Sequence, residues 1–275
     1  MHCRAADETT IPVLAPGTKK TRKDYLWAVM RDQRGWGGSD PPIVVFHHSQ
    51  SRSAETAKGI FKDYTPGILT VDGYTAYDTL ADPKKTNMPW QLSFCWTHWR
   101  RKFVEFSRTT QSPICEEMLR YIAALYRIET EIRGQDSATR AAIRQKLSQP
   151  ILDALRPWLE ARLNELPKSS ELTRSIKYGL KRWNGLTRFV GDGRIEMDTN
   201  LVENAIRPIP LTRKNALFAG SDAGARTWAR IASLIGTCKL NGVDSATYIE
   251  ATLCSILDQH MTSDIDDLMP WNFQK

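Results

Sequence analysis

The chain has 275 residues, 41% hydrophobic and 25% charged, enough to bury a sizeable core and far from the composition of a disordered or low-complexity chain. Lys and Arg number 38 against 31 Asp and Glu, a formal charge of +7, which favours a polyanionic partner without identifying one. Five widely spaced cysteines argue against a disulfide framework, no apolar run approaches the roughly 18 residues that span a bilayer, and "MHCRAADETT" has no signal-peptide core, so the expectation is a cytoplasmic protein.

In chain order, the first hundred residues read as strand-rich. "YLWAVMRD" (25–32) and "PIVVFHHS" (42–49) are apolar, β-branched or aromatic runs ended by polar clusters. "RGWGGSDPP" between them has the Gly and Pro content of a loop. "SAETAKGIFKDY" (53–64) has helical spacing through Ala57, Ile60, Phe61 and Tyr64. "GILTVDGY" (67–74) predicts a short buried strand ending at Asp72-Gly73, and "WQLSFCW" (90–96) another. With a very short strand before Asp7, these elements describe a mixed α/β sheet.

From about 97 to 190 the pattern is helical. Leu119, Ile122, Leu125, Tyr126 and Ile132 recur at helical spacing, as do Ile143, Leu147, Ile151 and Leu155. Pro150 is expected to kink or break that stretch, with Pro157 and Pro167 punctuating further. A short helix is predicted from near Asn200, then two more over 223–240 and 244–260, and the acidic tail is expected to be loose at its end.

Three carboxylates stand out. Asp7 follows the short first segment, Asp72 ends a buried strand, and Glu203 lies in the first turn of a helix. Strand ends in α/β sheets gather ligands and catalytic groups. Carboxylates brought together repel, and hard divalent cations, which prefer oxygen donors, would neutralise them. Two such ions can stabilise attacking and leaving oxygens in phosphodiester displacement. Each residue also has an ordinary explanation. Asn200-Leu-Val-Glu203 fits a capping box, Asp72-Gly73 fits a turn, and Asp7-Glu8-Thr9-Thr10 is locally uninformative. Spacing alone does not bring the three together.

The ordered blocks "ADETTIPVL", "YLWAVMRD", "VVFHHSQSRSAET", "GILTVDGYTAYD", "CWTHWRRKF" and "MDTNLVENAIRPIPLTRKNALFAGSDAGARTWARIASLIGTCKLNGV" resemble the catalytic region of insertion-sequence-66 family transposases, of the DDE class. The resemblance runs over residues from about 6 to 250. It implies a ribonuclease-H-like α/β fold with a large helical insertion: a first core part over 1–96, the insertion over 97–192, the rest of the core over 193–262, and a tail over 263–275. It implies Asp7, Asp72 and Glu203 as catalytic residues and ligands of two Mg²⁺ ions, with Mn²⁺ as a substitute. Asn200 and Arg207 fall on the family pattern, and together with Glu203 they share one helical face. The implied partners are DNA, as transposon ends and target, and further copies of the chain in a synaptic assembly.

Some positions depart from the family. Asn204 stands where arginine is usual, and Ser245 where proline is. Family members carry a DNA-binding region before the first aspartate, whereas Met1 is six residues ahead of Asp7. The expectation is therefore a clipped first strand and no end-binding module. The alternative to an active enzyme is a truncated remnant that binds DNA or full-length transposase without cutting.

Other features carry weaker signals. Cys95-x-x-His98 has zinc-ligand spacing but no second pair, so packing or DNA contact is the preferred reading. Arg100, Arg101 and Lys102 would meet phosphate or form a solvated helix face. "GTKKTRKDY" (17–25) is a basic hairpin-like tip, either tracking DNA or solubilising. Arg207, Arg213 and Lys214 follow the candidate glutamate and suit backbone contacts, which position nucleic acid without reading it. "GSDAG" does not match a phosphate-binding loop. Trp27, Trp96, Trp99 and Trp183 read as core, and His47-His48 on a strand face opposite ways.

Overall fold

The computed structural model describes residues 2–87, 89–258 and 260–273, apart from the side chains of Arg213 and Lys214. In chain order the elements begin with β1 (Cys3–Ala15), β2 (Lys20–Arg31), β3 (Ile43–Ser49), α1 (Ala54–Phe61), β4 (Ile68–Val71), α2 (Asp78–Ala81) and β5 (Gln91–Phe94). Helices then follow: α3 (Trp96–Thr110), α4 (Pro113–Glu131), α5 (Ser137–Ile143), α6 (Gln149–Glu165), α7 (Glu171–Lys181) and α8 (Trp183–Leu186). The last four are α9 (Asn200–Ile206), α10 (Pro208–Ala216), α11 (Asp222–Leu240) and α12 (Ser245–Leu257). Five strands with helices between and after them make the mixed α/β architecture expected of a ribonuclease-H-like fold with helical insertions.

The chain forms two compact units, one of Met1–Arg4, Gln33–Gly38 and Asp63–Asn200, the other of Ala5–Asp32, Ser39–Lys62 and Leu201–Lys275. In the second, β1 and β2 form an antiparallel hairpin and β3 adds antiparallel to β2. The basic tip closes through Gly17 (φ 77°) and Lys19 (φ 53°). The register runs unbroken from Ala5 opposite Met30 to Ala15 opposite Lys20, so alternate residues of each strand share a face. Ile11, Val13, Leu26, Ala28, Met30, Val44 and Phe46 form one buried cluster with Val202 and Ile206 of α9 and Ala225 and Ala229 of α11. Period-2 strands and period-3.6 helices meet on that face, which is why the sequence alternates here.

In the first unit, β4 and β5 are parallel, from Ile68 opposite Gln91 to Val71 opposite Phe94. The Ile68 N–H donates to the carbonyl of His2 at 2.9 Å. All four residues of β4 are buried, as a short strand covered on both faces must be. Around the pair sits an aromatic core. The Trp96 and Trp99 ring centroids lie 5.2 Å apart, and Trp99 meets Trp183 edge-on at 6.4 Å. Gly179 of α7 presses on the Trp99 indole so closely that a β-carbon there would overlap it.

The helical tract carries a buried ionic knot. Arg144, wholly buried, donates Nε and Nη2 to Glu129 at 2.8 and 2.6 Å and also donates to the carbonyls of Phe189, Asp192 and Ile195. Arg140, also buried, bridges Glu129 and Glu196. The knot fastens the segment leading into α9 onto α4 and the turn after α5. Buried charge is tolerated here because nearly every donor finds an acceptor.

Several expectations need correction. β1 is 13 residues long, and Asp7 lies inside it rather than after a very short first segment. The break expected at Pro150 comes just before it, as a π-turn over Arg144–Ser148, and Pro150 occupies the first turn of α6, where its missing N–H costs nothing. Pro157 sits inside α6 without ending it. α10 was not foreseen. The tail forms 3-10 turns over Thr262–Leu268 and Pro270–Asn272, while its last two residues, where looseness was expected, lie outside those described. It docks where the Tyr248 hydroxyl donates to the Leu268 carbonyl at 2.7 Å and the Phe273 ring meets Tyr248 at 5.7 Å. Among the described residues, no helix is long and apolar enough to cross a membrane.

Candidate functional site

In the first unit, Asp72 follows directly on β4, and its Oδ1 accepts the Tyr74 N–H at 2.7 Å. That bond closes an Asx-type turn over Gly73, whose φ of 90° suits only glycine. The turn is fastened from a distant helix. The Tyr178 hydroxyl of α7 donates to the Asp72 carbonyl at 2.7 Å, and Arg182 Nη2 donates to the Gly73 carbonyl at 3.0 Å. Arg182 also stacks on the Tyr178 ring, 4.3 Å from its centroid. Burial pushes the Tyr178 phenol up to about 12, with Arg182 opposing and the Asp72 charge adding. Tyr178 therefore stays a donor at neutral pH. The Asp72 backbone is held from two sides while its carboxylate remains half-buried.

In the second unit, Asp7 stands opposite Ala28 on β1, half-buried, and its Oδ1 accepts the Glu8 N–H at 2.8 Å. Strand alternation puts it on the face that carries Ile11 and Val13. Those two share a buried cluster with Val202 and Ile206, the residues flanking Glu203 on α9. Glu203 itself is half-buried, and its carbonyl accepts the Arg207 N–H at 2.9 Å.

The entry to α9 is set in the first unit. Asp198 accepts the Asn200 N–H at 3.0 Å, the Asn200 side-chain amide at 2.8 Å and the Tyr126 hydroxyl at 2.9 Å. The capping-box expectation for Asn200 needs revision, because its side chain is drawn back onto Asp198. Burial, then the Asp198 charge, pushes the Tyr126 phenol up, so it too stays a donor. The next residue, Thr199, donates its N–H to Cys95 Sγ at 3.3 Å.

Cys95 is buried at the start of α3, and burial pushes its thiol up to about 11. At neutral pH it is a hydrogen-bond acceptor in the core, not a thiolate.

Of the basic residues expected at DNA, Arg100 and Arg101 of α3 are exposed, as is Arg207 just past α9. Lys102 is partly withdrawn, its Nζ 4.8 Å over the Tyr178 ring. Arg213 and Lys214 fall in α10, and their side chains lie outside those described.

The second unit holds another polar constellation. Asp24, fully buried on β2, accepts Arg22 Nε and Nη2 at 2.7 and 3.0 Å and lies 2.8 Å from His48 Nε2. Arg22 also pairs with Asp222 at the start of α11, which accepts the Gln50 amide. Asp24, His48 and Asp222 are close enough to share an ion. Arg22 already neutralises both carboxylates, however, so the group serves as an ionic tie between α11 and the sheet.

Sequence reasoning missed Tyr178, Arg182 and Asp198. Their partners lie 106, 109 and 72 positions away in the chain for the bonds to Asp72, Gly73 and Tyr126, and no local pattern signals such pairings.

A model described as "Transposase IS66 family" matches residues 2–227, and one described as "IS66 C-terminal element" matches 233–271. Similar curated proteins come from Sinorhizobium fredii (strain NBRC 101917 / NGR234). The uncharacterized protein y4qI is 44% identical over 272 residues, covering 98% of this chain and 50% of that protein. The uncharacterized protein y4jD is 41% identical over 272 residues, covering 98% and 53%, and y4hP is 33% identical over 281 residues, covering 98% and 50%. The chain thus spans about half the length of the curated relatives it matches. With one family model covering most of its length and a second continuing it, the chain belongs to the IS66 transposase family.

Proposed function

We propose that this chain is the catalytic region of a DDE-class transposase, which cuts DNA at insertion-sequence ends and joins the freed strand to target DNA. The observation that carries the reading is family membership over residues 2–227, a span that includes Asp7, Asp72 and Glu203. In this reading residues 97–192 are a helical insertion between core parts 1–96 and 193–262, with 263–275 as a tail.

The donor set suits the implied metal. All three candidates are carboxylates, the hard oxygen donors that Mg²⁺ or Mn²⁺ prefers, and each is half-buried, shielded yet reachable. Two divalent ions bound by Asp7, Asp72 and Glu203 would neutralise charge on the scissile phosphate and favour deprotonation of the attacking hydroxyl. The protein's own part is positioning. Tyr178 and Arg182 fix the Asp72 backbone, and packing of Val202 and Ile206 sets the rotation of α9, which carries Glu203.

The chemistry proceeds as two in-line displacements. Water attacks the phosphorus at the transposon end, the P–O3′ bond breaks, and the departing 3′-oxygen takes up a proton. That 3′-hydroxyl then attacks a target phosphorus, again displacing a 3′-oxygen. Arg100, Arg101, Arg207, Arg213 and Lys214 would hold phosphates, in line with the +7 charge, and Asn200 would assist from the start of α9. Two copies acting together in the cytoplasm would bring both ends to one target.

The test uses DNA carrying the sequences that flank the coding region, with the chain fused to an IS66-family N-terminal region. Mg²⁺-dependent cuts leaving 3′-hydroxyls are expected, with Asp72→Asn and Glu203→Gln slower by at least about 100-fold. Wild-type cutting by Asp72→Ala would refute the assignment. DNA binding without cutting by the unaltered chain would favour the remnant reading.

A further inference from the structure

The first unit has a cleft of about 660 Å³ beside β5, lined by residues from the 81–94 segment, α6, α7 and α8. That volume is the size of a small-ligand site. Its lining includes four cations, Arg156, Lys181, Arg182 and Arg188, and no carboxylate among the described residues.

The cations differ in how they are held. Arg188 is braced by the Leu92 carbonyl and the Gln91 side chain, both at 3.0 Å. Arg182 is braced by the Gly73 carbonyl and the Tyr178 ring, and its buried Nε has no hydrogen-bond partner. Arg156 lies 6.0 Å over the Trp183 ring and pairs with Glu160. Lys181 and Asn184 are exposed and make no hydrogen bond or ion pair among the described residues. The remaining wall is apolar: Pro83, Pro89, Leu92, Phe94, Trp90 and Trp183. Fixed guanidinium groups beside an exposed ammonium, with the exposed rings of Pro83 and Pro89 on the apolar side, meet the two needs of a nucleotide, phosphate neutralisation and a surface for the base.

We propose that this cleft takes an unpaired nucleotide of a DNA strand, its phosphate on Lys181 and the arginines and its base against the exposed Pro83 and Pro89 side of the wall. A base in a duplex cannot enter so small a recess, and one that is unpaired can. Arg182 lines the cleft and also holds the turn that carries Asp72. A strand seated here would therefore touch an arginine that braces the turn following Asp72. The choice of DNA as ligand rests on the transposase reading. A free mononucleotide would present the same chemistry, and the experiment separates the two.

The test measures binding by the full chain in EDTA, using fluorescence anisotropy. The probes are a labelled 12-nucleotide single strand, the same sequence as a blunt duplex, and unlabelled dAMP as competitor. The expected result is tighter binding of the single strand than of the duplex, with millimolar dAMP competing only weakly. Arg156→Glu/Lys181→Glu, two substitutions on exposed side chains, should weaken single-strand binding at least tenfold and leave duplex binding within about twofold. It should also lower the magnitude of the slope of log K against log salt by about 0.7, the value for one phosphate on a single strand. Equal losses for both probes, or none, would overturn the proposal, as would dAMP displacing the strand at micromolar concentration. Because the measurement uses uncut DNA without metal, its failure leaves the cleavage test intact, and failure of cleavage leaves this one intact.

Discussion

The Tyr178 hydroxyl donates to the backbone carbonyl of Asp72 at 2.7 Å across 106 positions of sequence. One helix residue thus holds the strand end that carries a proposed catalytic carboxylate. Tyr178→Phe removes that single bond and should cost about 1 kcal/mol of stability. If the bond positions Asp72, the cleavage rate should fall about tenfold with the KM for DNA unchanged. A change in KM alone would assign Tyr178 to substrate contact instead.

Gly73 tests the same turn independently. At φ 90° an added β-carbon is strained and meets the Tyr178 hydroxyl. Gly73→Ala should therefore destabilise by about 1–3 kcal/mol, measured by urea unfolding. A neutral result would mean that the turn can shift and does not fix Asp72.

Arg144 is buried and satisfied by Glu129 and three carbonyls. Arg144→Met leaves the Glu129 carboxylate partly uncompensated and should cost about 3–5 kcal/mol. The double change Arg144→Met/Glu129→Gln should recover part of that loss. Full additivity in chemical denaturation would show that the two groups do not act as a pair.

The buried Cys95 thiol, pushed up to about 11, should be inert at pH 8, whereas Cys254 is exposed. Because the folded value is raised, the protonated thiol persists as pH rises through the ordinary thiol range and ionises only near pH 11. Iodoacetamide followed by peptide mass spectrometry should label Cys254 within minutes at pH 8 and Cys95 only after unfolding. Prompt labelling of Cys95 would contradict its burial.

Exposed Arg100, Arg101 and Arg207 should each contribute to non-specific duplex binding. Each change to Gln should lower the magnitude of the log K against log salt slope by about 0.9 if that residue meets one phosphate. An unchanged slope would return the residue to a solvated surface role.

Much of the fold was legible because its signals are local. β3, β4, β5 and α1 emerged within a few residues of their observed ends, and β2 at its C-terminal end only, its polar first residues from Lys20 having been read as part of the basic tip. β1 was underestimated because Asp7-Glu8-Thr9-Thr10 is polar. Its half-buried places are satisfied by partners such as Arg52, which pairs with Glu8, and those lie far along the chain. α10 was not foreseen; Pro208 and Pro210 both occupy its first turn, where proline is tolerated. The candidate carboxylates came from resemblance, not from spacing. The residues that hold them, Tyr178, Arg182 and Asp198, could be seen only once distant segments were folded together.

The central claim is that Asp7, Asp72 and Glu203 share divalent ions, and iron-mediated cleavage of the folded chain tests it most directly. Fe²⁺ replaces Mg²⁺, ascorbate and peroxide generate radicals at the bound ion, and mass spectrometry maps the backbone cuts. The account predicts cuts near residues 7, 72 and 203 together, suppressed by excess Mg²⁺ and lost at all three places in Asp72→Asn. Cuts near only one of them, or cuts that survive Asp72→Asn at the other two, would contradict it.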